Sequence, residues 1–193
     1  QTASLGQAGS MQIHRLDGET GVVEETVPAP NVDLGSWGAY GGAVDGDDNF
    51  WFSTHGSGNP PTLSRLTYDD LVLTTWPVPA GVSPYGMTVD SDGYVWVCSS
   101  SGAGRFNPED ESWQTAQVGG YTGCMADSGE DGLLWMSTGS GIQGLDRETL
   151  QVEQSCPNTN GSYGISIDFQ GFVWAVASGS NANRVNPDTC EYQ

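Results

Sequence analysis

Two histidines, four cysteines and a set of recurring aspartates are the side chains of this sequence with chemistry to offer. His55 follows Trp51-Phe52-Ser53-Thr54 at the mouth of a strand-like run. An imidazole there can act as a general base or touch a ligand, because histidine as a class titrates near neutrality. His14 lies beside Arg15 within a strand-like run and reads as structural. Asp45-Gly-Asp47-Asp48 and Asp90-Ser-Asp92-Gly93 are oxygen-rich turns, so Asp45, Asp47, Asp90 and Asp92 are candidate ligands for calcium or magnesium. Their competing role is turn capping, since neither run has the twelve-residue spacing and closing Glu of an EF-hand. Cys98, Cys124, Cys156 and Cys190 form no CxxC pair and no histidine-adjacent spacing, which argues against structural zinc. No nucleophile elbow, phosphate-binding Gly loop or zincin helix occurs.

The elements that must position these residues repeat along the chain. Tyr40, Tyr85, Tyr121 and Tyr163 open similar segments, YGGAVDGDDNFWF, YGMTVDSDGYVWV, YTGCMADSGEDGLLWM and YGISIDFQGFVWA. Trp51, Trp96, Trp135 and Trp174 follow in register, and each is trailed by a Ser/Gly-rich loop and a further strand. Arg15, Arg65, Arg105 and Arg184 hold equivalent places in that third strand; Gly144 takes the place in one unit, with Arg147 just beyond it. Asp, Asn and Gly in the turns cap tight bends and supply positive φ. Short apolar or alternating runs between them read as strands, and no segment shows a convincing 3.6-residue period. Units of about 40 residues with four strands each describe β-propeller blades.

The fold class is therefore all-β, a propeller of four-stranded antiparallel blades. One domain or segment covers 1–193: a part-blade at 1–35, then blades at about 36–80, 81–119, 120–160 and 161–193. About four and a half blades suggest a segment of a larger, six- to eight-bladed ring; a complete five-bladed closure is the alternative. Placed on blades, Cys98–Cys124 and Cys156–Cys190 would each link neighbours, with buried free thiols the competing state. The Arg column is expected to pair with carboxylates, and the Trp column to fill the space between sheets. Trp37, Trp76 and Trp113 fall outside the column and are candidate platforms for sugars or peptides.

The pattern P-Y-G-h-x-V-D-x-D-G-x-V-W-h, clearest at Pro84 to Val97, resembles the repeat of virginiamycin B lyase-like and NHL-type propellers over residues 11–193. That resemblance implies lyase chemistry by a His with Glu and a divalent metal around one opening. Here the matching strand ends are Thr54, Ser99, Thr138 and Ala177, with no carboxylate among them.

Composition bounds the partners. The chain of 193 residues carries 24 Asp+Glu against 5 Lys+Arg, a formal charge of −19, and every cation is arginine. Such a chain lacks the positive patch that nucleic acid requires. Anionic membrane surfaces are equally poor partners, and no run of 18 apolar residues exists for insertion. Topology sends Tyr40, Tyr85, Tyr121 and Tyr163 with Thr54, His55, Ser99 and Thr138 to one neutral, hydroxyl-rich and aromatic face, and the acidic turns to the other. The main expectation is an extracytoplasmic binding scaffold, secreted, periplasmic or at the cell surface, leaning away from an enzyme. It would take a protein partner or a neutral small ligand or glycan on the Tyr/Ser/His55 face. A metal-assisted lyase is one alternative. Another is a structural module of an extracellular assembly, associating through open blade edges.

Overall fold

The computed structural model describes residues 2–3, 11–30, 32, 38–55, 61–99, 102–116, 118, 124–126, 132–157, 163–177, 179 and 181–192, with the backbone alone at 2–3 and 124–126. The chain divides into two compact units, Gln1–Val78 and Pro79–Gln193.

In the first unit, β1 (Thr2–Ala3), β2 (Gln12–Leu16) and β3 (Val23–Pro28) form a three-stranded sheet. There β4 (Ala39–Val44), β5 (Phe50–Thr54), β6 (Thr62–Leu66) and β7 (Leu73–Pro77) form a four-stranded one. The second unit holds β8 (Gly86–Val89), β9 (Val95–Ser99), β10 (Gly102–Asn107) and β11 (Ser112–Ala116) as one four-stranded sheet. Next come β12 (Cys124–Ala126), β13 (Leu133–Thr138), β14 (Gly141–Asp146) and β15 (Val152–Pro157), again four-stranded. The last sheet has β16 (Gly164–Ile167), β17 (Val173–Val176) and β18 (Ala182–Val185), with a single bridge from Val185 to Tyr192. All pairings are antiparallel between successive strands, so the architecture is all-β with repeated sheets of the propeller-blade kind, none of them closed on itself.

Side-chain alternation decides which face of each sheet is covered. In β17, Val173 and Ala175 are buried while Trp174 and Val176 are exposed, the period-two signature of a strand covered on one side. In β9 all five residues of Val95–Ser99 are buried, because both faces are covered. The first unit's core joins Met11 and Ile13 to Phe52 and Leu66. In the second, Trp96, Cys98 and Ala103 pack on Leu134, Met136 and Leu145 of the following sheet. Trp135, Ile142 and Cys156 then pack on Val173, Ala175 and Val185. Truncating one such tryptophan to alanine removes about 3–5 kcal/mol.

The hairpins between third and fourth strands share one design. Asp17, Asn107, Asp146 and Asn186 each accept backbone N–H groups from two or three residues on, for example Thr149 N to Asp146 Oδ1 at 2.5 Å. The fifth residue of each turn has positive φ: Gly21 (70°), Leu71 (56°), Glu111 (59°), Leu150 (60°) and Cys190 (57°). Four of these five positions hold a residue other than glycine, so local strain is tolerated there. Leu71 and Leu150 offset it by packing on the cores. Cys190 is bonded to Cys156 of the preceding sheet.

Gly144 explains the gap in the arginine column. A Cβ there would lie 2.9 Å from Leu133 Cδ1 and 3.2 Å from Trp135 Cη2, so the slot is filled from the neighbouring strand.

Candidate functional site

In the β4–β7, β8–β11 and β16–β18 sheets, the first-strand tyrosines and second-strand ends lie at one end, and the acidic turns at the other. In the β4–β7 sheet, Ala39 faces Thr54 and Thr62 faces Pro77 at one end, while Val44 faces Phe50 and Leu66 faces Leu73 at the other. The Asp45–Asn49 and Thr67–Val72 turns therefore share the second end, where Tyr68 N donates to Asn49 Oδ1 at 3.1 Å.

At the neutral end of that sheet Tyr40 and His55 meet, their rings 5.1 Å apart and tilted by 47°. The His55 amide donates to Gly38 O at 3.2 Å, which fixes the backbone just beyond β5. Tyr40 is 44% exposed. Thr54 is buried, its hydroxyl accepting from Thr62 N at 2.9 Å and lying 3.1 Å from Thr62 Oγ1. In the second unit, Tyr85 N donates to Cys98 O and Tyr163 N to Val176 O. These bonds bring the two rings edge to face, 5.8 Å between centroids. Tyr121 lies outside the described residues.

Ser99 and Thr138 are buried and donate to Gly102 O and Gly141 O, closing the β9–β10 and β13–β14 hairpins. Of the eight predicted contact residues, the structure thus presents Tyr40 with His55, and Tyr85 with Tyr163, while Thr54, Ser99 and Thr138 turn inward.

The calcium or magnesium expectation is corrected. No group of three or more His, Cys, Asp or Glu residues that could hold a metal ion exists among the described residues. The reason lies in how the turns spend their carboxylates. Asp45 Oδ1 accepts from Asp47 N and Asn49 N, and Oδ2 from Asn49 Nδ2 and, at 2.7 Å, from the Trp51 indole. Asp90 does the same with Asp92 N, Tyr94 N and the Trp96 indole. Asp92 turns toward Arg147 at 3.7 Å, and Asp47 serves the turn through its backbone. The His, Glu and metal set implied by the family resemblance therefore has no match in the described residues.

A third copy of this clamp joins Asp168 to Phe172 N and to the Trp174 indole at 2.9 Å. The constant six-residue step from Asp45 to Trp51, Asp90 to Trp96 and Asp168 to Trp174 was its signal in the sequence. Burial pushes the Asp45 carboxyl up, but the bonds from Trp51, Asn49 and Asp47 outweigh it and hold the group below its ordinary value. Asp168 is drawn down to about 2, first by the Trp174 indole and then by Phe172, Gln170 and Arg184. The turn before Trp135 is two residues longer, and the buried Trp135 Nε1 has no acceptor among the described residues.

The arginines divide. Arg184 pairs with Asp168 at 3.1 Å, as expected. Arg65 instead lies over the rings of Trp51 and Trp76, and Arg105 over Tyr94 and Trp96 while donating to Arg147 O and Gln114 Oε1. Trp76 is no surface platform: it is buried and stacked on Trp51. Trp113 lies against Phe106, and Trp37 is outside the described residues. Among the predicted disulfides, Cys156–Cys190 is formed. Cys98 is disulfide-bonded too; the side chain of its expected partner, Cys124, is outside the described residues.

No family model and no curated protein matches the sequence. Solved structures do. Virginiamycin B lyase from Staphylococcus aureus superposes with a TM-score of 0.74 at 20% identity, over 97% of this chain and 62% of that one. Its catalytically inactive variant with quinupristin gives 0.74 at 17% identity and the same coverage. The nidogen/laminin complex gives 0.71 at 16% identity, over 96% of this chain and 74% of that chain. An extracellular domain of a hybrid two-component system from B. thetaiotaomicron gives 0.66 at 14%, over 97% of this chain and 25% of the other. The chain thus spans about three fifths of the lyase it matches, and identities this low show the fold alone. The expectation that leaned away from an enzyme is nevertheless corrected, because a lyase stands among the structures that share this fold over nearly the whole chain.

Proposed function

We propose that the chain forms part of a lyase-type β-propeller resembling virginiamycin B lyase, with Tyr40 and His55 at its ligand end. The Tyr40–His55 ring pair carries the reading. It couples a titratable ring to an exposed aromatic at the end of a sheet that keeps its carboxylates at the opposite end. Tyr40 would seat an apolar or planar part of the substrate. His55 would take the proton from the carbon next to the leaving group; the C–H electron pair becomes the new double bond, and the leaving group departs with its bonding pair. The described residues supply no group of three or more His, Cys, Asp or Glu side chains that could hold a metal, so His55 acts here through its own ring.

An extracytoplasmic setting fits this reading, supported by the disulfides and by the likeness to extracellular domains. A second reading, docking of a protein partner, is supported by the likeness to the nidogen/laminin complex and by the half-exposed Tyr163 beside Tyr85.

Incubation with quinupristin, followed by chromatography and by titration of intrinsic fluorescence, tests the first. Turnover that falls at least about a hundredfold in His55→Ala, with binding weakened in Tyr40→Ala, is expected. Consumption that is unchanged in His55→Ala would overturn the role of His55. Neither binding nor consumption of quinupristin would overturn the kinship in activity.

A further inference from the structure

The neutral end of the second unit brings together two rings from sheets that are not adjacent. Tyr85 immediately precedes β8 and Tyr163 precedes β16, while β12 lies beside both of those strands. Each tyrosine is fixed through its backbone. Tyr85 N donates to Cys98 O at 3.0 Å and Tyr163 N to Val176 O at 2.6 Å. Ser137, on the sheet between them, donates its hydroxyl to Tyr163 O at 3.2 Å. The rings stand at 86° to each other with centroids 5.8 Å apart, and Tyr163 is 48% exposed. Sheets of this unit pack face against face, Trp96 on Leu134 and Trp135 on Val173. A further sheet would add to such a face, whereas the ring pair stands at strand ends, which face-to-face packing does not cover.

Two perpendicular rings make a corner. A flat sugar or aromatic ligand stacks on one ring, but a corner suits a round group that touches two faces at once. The face of a phenol ring carries the negative part of its quadrupole and attracts cations. The surroundings favour a cation that has no N–H to satisfy. The described segments at this end, 81–87, 98–99, 102–103, 138–143, 163–165, 175–177 and 181–183, contain no Asp, Glu, Lys, Arg or His. No carboxylate there pairs with a protonated amine, and no cation there repels an incoming one. The arginines of this unit are engaged around the acidic turns: Arg147 with Asp92 at 3.7 Å, Arg184 with Asp168 at 3.1 Å, and Arg105 by donating to Arg147 O. The charge of −19 draws cations of every kind toward the chain. A corner of rings retains those that need no hydrogen-bond acceptor.

We propose that the Tyr85–Tyr163 corner binds a small quaternary ammonium ion, with its methyl groups against both ring faces. Such an ion is weakly hydrated and carries its charge on carbon-bound hydrogens, so aromatic faces replace water around it at little cost. The pair belongs to the unit that does not hold Tyr40 and His55, so this site and the lyase reading stand or fall separately.

Calorimetric titration at constant ionic strength tests the site with three probes: choline, ethanolamine, and the neutral isostere in which a tert-butyl group replaces the trimethylammonium of choline. Choline should bind at least about tenfold more tightly than either of the others. Tyr85→Ala and Tyr163→Ala should each weaken choline at least about tenfold, while Tyr163→Phe, which keeps the ring face, should retain it. Tyr68→Ala, in the other unit, should leave binding intact. Thermal melts check that each variant stays folded. In the unsubstituted chain, the ring-proton resonances of Tyr85 and Tyr163 should shift as choline is added. No choline binding through the millimolar range overturns the proposal, and so does an isostere or an ethanolamine that binds as tightly as choline. Full binding in both alanine variants, loss in Tyr68→Ala alone, or Tyr85 and Tyr163 resonances that stay unmoved would overturn it equally.

Discussion

At the scale of single residues, the contrast between Trp96 and Trp135 is the most useful. Both are buried, but the Trp96 indole is bonded to the Asp90 carboxylate and that of Trp135 has no acceptor among the described residues. Trp96→Phe leaves a buried carboxylate oxygen with only Arg147, 4.0 Å away, at about 1–3 kcal/mol beyond the lost contacts. Trp135→Phe removes a donor that has no acceptor among the described residues and should cost correspondingly less. Denaturant unfolding of the two variants should show Trp96→Phe the more destabilised by at least about 1 kcal/mol. Asp168 gives a second test. The fold lowers its pKa from 3.8 to about 2, so its contribution to stability is present above 3.8 and is lost as pH falls toward 2. Trp174→Phe removes the leading cause, and the Asp168 carboxyl should titrate closer to 3.8 when followed by carbon NMR. The aspartates were legible in the sequence as turn formers, but their indole partners were not named. A capping aspartate and a core tryptophan each have a sufficient local explanation, and only the repeated step of six connects them.

Individual elements were read with more success. Alternating apolar residues and Asx-rich turns sufficed to read repeated antiparallel sheets of three or four strands, because a meander of short strands needs only local pairing. The fate of the arginines was harder to read. Arg65, Arg105 and Arg184 all stand beside a tryptophan and over an aromatic ring, so the side of the strand does not separate them; Arg184 also reaches the Asp168 carboxylate of the neighbouring turn. The third-to-fourth-strand turn offers the sharpest element-scale prediction. Glu111 is exposed with φ of 59° and has no core contact to offset the strain that anchored Leu71 and Leu150 offset. Glu111→Gly should raise stability by about 0.5–1 kcal/mol, the left-handed penalty exceeding the entropy cost of glycine. A thermal melt that falls instead would show that Glu111 contributes something beyond the turn.

For the molecule as a whole, the cysteines join what the sheets leave separable. Cys156 and Cys190 are 34 residues apart and bridge adjacent sheets of the second unit. Closing a loop of that length stabilises by about 3–4 kcal/mol in the chain-entropy description. No cysteine among the described residues is free. Alkylation should therefore leave the native mass unchanged and add four adducts only after reduction, with a lower melting temperature for the reduced form. A native adduct would contradict the pairing. Blade placement made the Cys156–Cys190 bridge legible before any coordinates. What the sequence could not convey was which hydroxyls face outward: Thr54, Ser99 and Thr138 sit at strand ends beside a loop, and the hairpin claims them first.

The aspartate–indole clamp also makes the chain readable one sheet at a time. A buried proton held between an indole nitrogen and a carboxylate exchanges with solvent only when its sheet opens. The buried Trp51 and Trp96 each contribute one such proton from a different sheet, with the exposed Trp174 indole as the freely reached comparison. Their exchange rates in deuterated buffer would therefore separate a repeat array that frays from its ends from one that opens in a single step.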